Sequence, residues 1–139
     1  MSIYDQYSAD ALKSFETEHD SFVGIDSDGC VFDTMEIKQK QCFHGLIVQS
    51  WKLRAIDQEV RQTAEFVNLY SRSRGQNRFT ALRQTFELLA QRPEVLGSDA
   101  VLPDHSALNA LIDSGVTLDN KAVARAAYKD DSSFLRELL

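Results

Sequence analysis

The 139 residues are 43% hydrophobic and 26% charged, which suits one folded domain, or a piece of one, and excludes a disordered or fibrous chain. Two cysteines, Cys30 and Cys42, cannot build a disulfide framework, no signal-peptide pattern is visible, and no apolar run nears the ~20 residues a bilayer requires, so a cytoplasmic protein with no membrane partner is expected. The net charge of −6 disfavours nucleic acid as a partner, yet residues 51–92 hold eight Lys and Arg against four acids, a cationic segment suited to a small anion.

In chain order, Ala11, Leu12 and Phe15 recur at helical spacing and predict a short amphipathic helix over Ser8 to Asp20. Ser21-Phe22-Val23-Gly24-Ile25 is apolar, too short for a helix and followed by a turn signal, which predicts a strand. From Asp33 the period becomes 3.6. Asp33 and Glu36 are spaced for a capping box, and Met35, Cys42, Phe43, Leu46 and Ile47 build one face of the helix that follows. A second helix carries Ile56, Val60, Ala64 and Val67, and a third carries Phe79, Leu82, Phe86 and Leu89. The polar loop Ser71 to Asn77 joins them, and Asn77 is placed to cap the third.

Pro93 is expected to close the third helix, Gly97 to Pro103 reads as loop, and a helix with Leu108, Leu111 and Ile112 stops at Gly115. Short helices near Asn120 to Tyr128 and Ser132 to Leu139 follow; Asp130-Asp131 reads as a helix-start cluster. Leu138-Leu139 offers no cap, which is unusual for a natural terminus. A lone strand leaves its backbone groups unpaired, and no second strand is evident here. Its neighbours are therefore expected from sequence beyond these residues.

Chemistry concentrates in Asp26-Ser27-Asp28-Gly29. On an extended chain, residues two apart share a side, so the carboxylates of Asp26 and Asp28 can face one site at the carboxyl end of the strand, where open α/β sheets bind ligands. Two close carboxylates repel unless a cation offsets them, and Mg²⁺, a hard ion with oxygen ligands, fits both them and a phosphate substrate. A carboxylate is also a competent nucleophile toward phosphorus, with its neighbour moving the proton. An EF-hand is excluded: with Gly29 at loop position 6, Gly24 and Met35 fall where the first aspartate and the bidentate glutamate belong. Cys30 and Cys42 read as small buried hydrophobes, and His19, His44 and His105 as surface or partly buried residues without metal-ligand spacing.

The string Asp26-Ser27-Asp28-Gly29-Cys30-Val31-Phe32-Asp33 after an apolar strand resembles the first motif of the haloacid dehalogenase (HAD) superfamily, D-x-D-G-x-x-x-D. The helices after it resemble the helical cap inserted into that family's Rossmann-like core. The resemblance implies Asp26 as nucleophile, Asp28 as general acid/base, and Mg²⁺ on the Asp26 carboxylate and the Asp28 main-chain carbonyl. It further implies a helical turn over Gly29 to Phe32 that lets the cap open and close.

The expected fold is mainly α: residues 1–33 give one core strand and the nucleophile loop of an incomplete HAD-like Rossmann α/β core, and residues 34–139 a helical cap. The family's later Ser/Thr, Lys and acidic pair are not found on strands, so the fragment alone is expected to be inactive. Cap loops in the family select substrates, which makes Arg72, Arg74 and Arg78 candidates for binding an anionic or phosphorylated group. The expected activity is Mg²⁺-dependent phosphatase action on a small phosphorylated metabolite through an aspartyl phosphate, with phosphomutase chemistry using the same pair. The alternative is a non-catalytic helical interaction module with a groove between amphipathic helices.

Overall fold

The computed structural model describes residues 9–16 and 18–139. It is mainly helical, and among the described residues no helix is long and apolar enough to cross a membrane. The first helix, α1 (Ala9–Lys13), is shorter than its predicted span; Ser8, Thr17 and the Leu12 side chain lie outside the described residues. Phe15, at 72% exposure, covers no core, and a short helix without tertiary packing is marginal in water.

The predicted strand over Ser21 to Ile25 is absent, and this segment is irregular and exposed, with Phe22, Val23 and Ile25 all facing solvent. No sheet exists among the described residues to pair its backbone. The isolated bridge between Asp28 and Phe32 is the strand-like pairing that forms.

The long arm after the motif is α2 (Thr34–Ile37), a π-helical stretch Lys38–Phe43, and α3 (His44–Ser50). The wider turn of a π-helix shifts every later side chain around the axis. His44 and Val48 therefore face inward, while Cys42, Phe43 and Leu46 of the predicted apolar face are exposed. Cys30 is exposed as well, so neither cysteine is the buried residue expected, and neither is in a disulfide.

A 3₁₀ turn (Arg54–Ile56) leads into α4 (Asp57–Glu65), which ends in a second π-helical stretch, Phe66–Tyr70. Here the predicted stripe holds: Ile56, Val60, Ala64 and Val67 are all buried. Asn77 caps α5 (Arg78–Leu89) by accepting from the Phe79 amide at 3.0 Å, and its Nδ2 donates to the Leu118 carbonyl at 2.9 Å. Pro93 opens the short helix α6 (Pro93–Leu96) rather than only ending α5, because its fixed φ and missing N–H suit a first helical position.

Gly115 (φ +73°) follows α7 (Ser106–Asp113), and α8 (Asn120–Lys129) is capped by Asp119, which accepts from the Ala122 amide at 2.7 Å. Asp130 is the C-cap of α8, not a helix start. Ser132 instead caps α9 (Ser133–Arg136).

Helix α4 packs between α3 and α5, α7 lies on α5 and α9, and α8 lies on α9. Phe86, fully buried, sits among rings: edge-on to Trp51 at 5.2 Å, stacked with His105 at 5.4 Å and T-shaped to Phe134 at 5.9 Å. Arg92 ties the end of α5 to α4 through Gln62 Oε1 at 2.9 Å, and Arg83 ties α5 to Asp113 at 2.8 Å.

Candidate functional site

The motif forms a hydrogen-bonded turn rather than a helical one. The Gly29 amide donates to the Phe32 carbonyl at 2.9 Å and the Phe32 amide to the Ser27 carbonyl at 3.0 Å. Gly29 holds φ +70°, the left-handed region where a side chain is strained, and a Cβ there would lie 2.7 Å from Met35 Cγ. Met35 thus closes α2 over the turn.

Thr34 and Lys38 are one helical turn apart, so both reach back from the arm to the same carboxylate. Thr34 Oγ1 donates to Asp28 Oδ1 at 2.8 Å, and Lys38 Nζ donates to Asp28 Oδ2. The Lys38 hydrogen bond, then that of Thr34, holds the Asp28 carboxyl below its usual range, in its ionised form. The Asp26 carboxylate is exposed and has no hydrogen bond or ion pair among the described residues.

The capping box does not form, since Asp33 makes no side-chain cap bond. Its intended partner, Glu36, is used elsewhere. Glu36 Oε1 accepts from Tyr70 Oη at 2.8 Å and Oε2 from Lys40 at 3.1 Å, and Lys40 also meets Glu65 at 2.9 Å. The Tyr70 bond, ahead of Lys40, lowers the Glu36 pKa; Glu65, ahead of Glu36, raises that of Lys40. One side of the arm is therefore tied to the motif turn and another to the end of α4 and its π-helical extension.

Tyr70 leads into the arginine loop. Ser73 Oγ donates to Gln84 Oε1 at 2.6 Å and Gln76 Nε2 donates to the same oxygen at 2.9 Å, which fastens the loop to α5. The guanidinium groups of Arg72 and Arg74 are exposed and form no hydrogen bond or ion pair among the described residues. Arg78 differs: it donates to Asn120 Oδ1, and its Cζ lies 4.7 Å from the centroid of the Phe79 ring. It is thus already engaged, unlike the other two arginines.

For a hard cation the donors fit in part. Mg²⁺ is commonly held by one or two carboxylates with waters and phosphate oxygens, and the unengaged Asp26 carboxylate suits that role. Each Asp28 oxygen already accepts one hydrogen bond, from Thr34 or Lys38, so its side chain would meet a cation only beside these donors. Among the described residues no three His, Cys, Asp or Glu side chains gather around a possible metal position.

The sequence reading missed Thr34 and Lys38 as partners of Asp28. Their i, i+4 spacing directly after the motif was the available signal. Comparison with family models, with curated proteins and with solved structures finds no match for the chain.

Proposed function

We propose that the chain carries the nucleophile loop and helical cap of a HAD-like, Mg²⁺-dependent phosphohydrolase acting on a small phosphorylated metabolite. The observation that carries this reading is the unlike setting of two carboxylates in one glycine turn: Asp26 unengaged and exposed, Asp28 held by an ammonium and a hydroxyl. Such a division separates a nucleophile from a proton carrier. The exposed apolar residues Phe22, Val23 and Ile25, set directly before the turn, suit a strand that completes a sheet with further core strands.

In the proposed reaction an Asp26 oxygen attacks phosphorus, the bond from phosphorus to the leaving oxygen breaks, and that oxygen takes a proton from the protonated form of Asp28. Asp28, then ionised, accepts a proton from water as the water oxygen attacks the aspartyl phosphate, releasing phosphate and restoring Asp26. Lys38 and Thr34 favour ionised Asp28, which promotes proton release to the leaving oxygen and weakens Asp28 as the base of the second half. The Asp26 carboxylate, with the Asp28 main-chain carbonyl that the family pattern implies, would hold Mg²⁺, whose charge offsets that of the phosphoryl group. Arg72 and Arg74 are free to meet an anionic leaving group; Arg78 would first have to leave Asn120.

The test is phosphate release from a panel of small phosphomonoesters by the polypeptide expressed from the complete reading frame containing these residues, with Mg²⁺ or with chelator. Release is expected to need Mg²⁺ and to fall about 10³-fold or more in Asp26→Asn. Release that survives the substitution, or no release from any ester, ends the assignment. Residues 1–139 alone are expected to turn over far more slowly, because the charge-stabilising groups of the family's later motifs do not gather at the turn.

A second reading, a helical interaction module, is favoured by an apolar groove of about 380 Å³ lined by Phe43, Leu46, Trp51, Phe79 and Leu82. It becomes the better account if the reading frame ends at Leu139 and no ester is hydrolysed.

A further inference from the structure

His44 begins α3 where the π-helical stretch ends, and the residue is only 1% exposed. Its Nε2 is buried without a hydrogen-bond partner. The charged groups acting on it are Glu65 and Arg61 of α4 and Lys40 from one turn earlier in its own arm. All three are already engaged. Arg61 Nε donates to Asp57 at 2.8 Å and Arg61 Nη1 to the Lys40 carbonyl at 3.4 Å, while Lys40 bridges Glu36 and Glu65. Glu65, the charge acting most strongly on the ring, shares Lys40 with Glu36, and Arg61 and Lys40 oppose it.

A neutral imidazole in this position leaves one ring nitrogen unsatisfied, which the surrounding packing tolerates. An imidazolium would be a buried cation with no hydrogen-bond acceptor at Nε2, and a charge costs far more to bury than a neutral polar group. We infer that His44 is an acid-sensitive latch: on taking up a proton, its ring is expelled from the α3–α4 interface and the arm Thr34–Ser50 separates from α4. That arm carries Glu36, the acceptor of Tyr70, and Lys40, the partner of Glu65, so its release would break both ties and free the entry to the arginine loop, while Thr34 and Lys38 carry the motif turn away with the arm. The inference rests on packing and charge and holds whether or not the chain belongs to a phosphohydrolase.

Burial pushes the His44 pKa down, with Glu65 opposing and Arg61 and Lys40 reinforcing. A group whose pKa is depressed by folding binds fewer protons folded than open, so its contribution to stability is complete above the ordinary imidazole value of ~6.5 and is lost as pH falls toward the folded value. Glu36 and Asp28 are shifted below the usual carboxylate range and stay ionised through that window, so they do not mask it.

The test is backbone amide exchange across α3 in residues 1–139 at pH 7.5 and 5.5, corrected for intrinsic chemical exchange. An imidazole that titrates normally when open and stays neutral when closed raises the opening equilibrium by up to about tenfold at the lower pH. The wild-type chain is expected to show this rise, and His44→Gln and His44→Leu are expected to lose it. An NMR titration of the His44 ring in the wild-type chain, which needs no variant to fold, should show an inflection below ~6.5. Variants that keep the wild-type pH response, or a ring that titrates at or above the ordinary value, overturn the latch.

Discussion

Phe86→Ala is expected to lower the thermal midpoint of residues 1–139 by about 10–20 °C, followed by far-UV circular dichroism and by Trp51 fluorescence. The ring is fully buried at the meeting of α5 with Trp51, His105 and Phe134, and Trp51 is also stacked on Phe134 at 5.1 Å. Truncation removes the buried ring and leaves a cavity between groups fixed from four separate segments, which limits collapse. Such losses run to about 3–5 kcal/mol, a large share of the roughly 5–15 kcal/mol that holds a domain together. The comparison is Tyr128→Ala: at 77% exposure that side chain covers little, and its loss is expected within about 0.5 kcal/mol. Equal midpoints for the two variants would show that the ring cluster is not the centre of the core.

The core was legible where periodicity and helix type agree. Phe79, Phe86 and Leu89 on α5 and Val60 and Ala64 on α4 obey 3.6-residue spacing and are buried, and Ile56 in the 3₁₀ turn and Val67 in the π-helical stretch are buried too, lying only one and two residues beyond the ends of α4. The arm Thr34–Ser50 is different. Met35, Cys42, Phe43, Leu46 and Ile47 form a regular stripe on paper, but the π-helical stretch Lys38–Phe43 turns the later residues round the axis. Nothing in local composition announces that change. It accompanies the two-sided anchoring of the arm, with Lys38 on Asp28 and Lys40 on Glu65, contacts between residues ten and twenty-five positions apart.

The same competition explains the lost capping box. Glu36, the glutamate of the expected Asp33–Glu36 box, serves Tyr70 and Lys40 instead of the helix start. The sharp turn at Gly29 could be read from four letters, and it forms with φ +70°. Which of Asp26 and Asp28 is left free depends on side chains that follow the motif, Thr34 and Lys38, and not on the motif's own residues.

Gly29→Ala is expected to open the motif turn, and the size of the effect can be apportioned. At φ +70° a side chain costs about 1–2 kcal/mol, and the added Cβ would stand 2.7 Å from Met35 Cγ, closer than van der Waals contact allows. The turn is held by two backbone hydrogen bonds, Gly29 to Phe32 and Phe32 to Ser27, so a change of that size should accelerate exchange of the Phe32 amide by roughly 5–30-fold. Adding Met35→Ala removes the collision but not the backbone strain. The double variant should therefore recover part of the protection, while Gly29→Asn, a residue that tolerates the left-handed region, should lose less than Gly29→Ala from strain alone. Unchanged exchange at Phe32 in Gly29→Ala would mean that the turn does not hold the chain at Asp28. With the turn open, Asp28 loses its fixed distance to Thr34 and Lys38, so under the phosphohydrolase reading Gly29→Ala should lower kcat more than it raises KM. A change in KM alone would point to a turn that binds substrate without positioning the proton carrier.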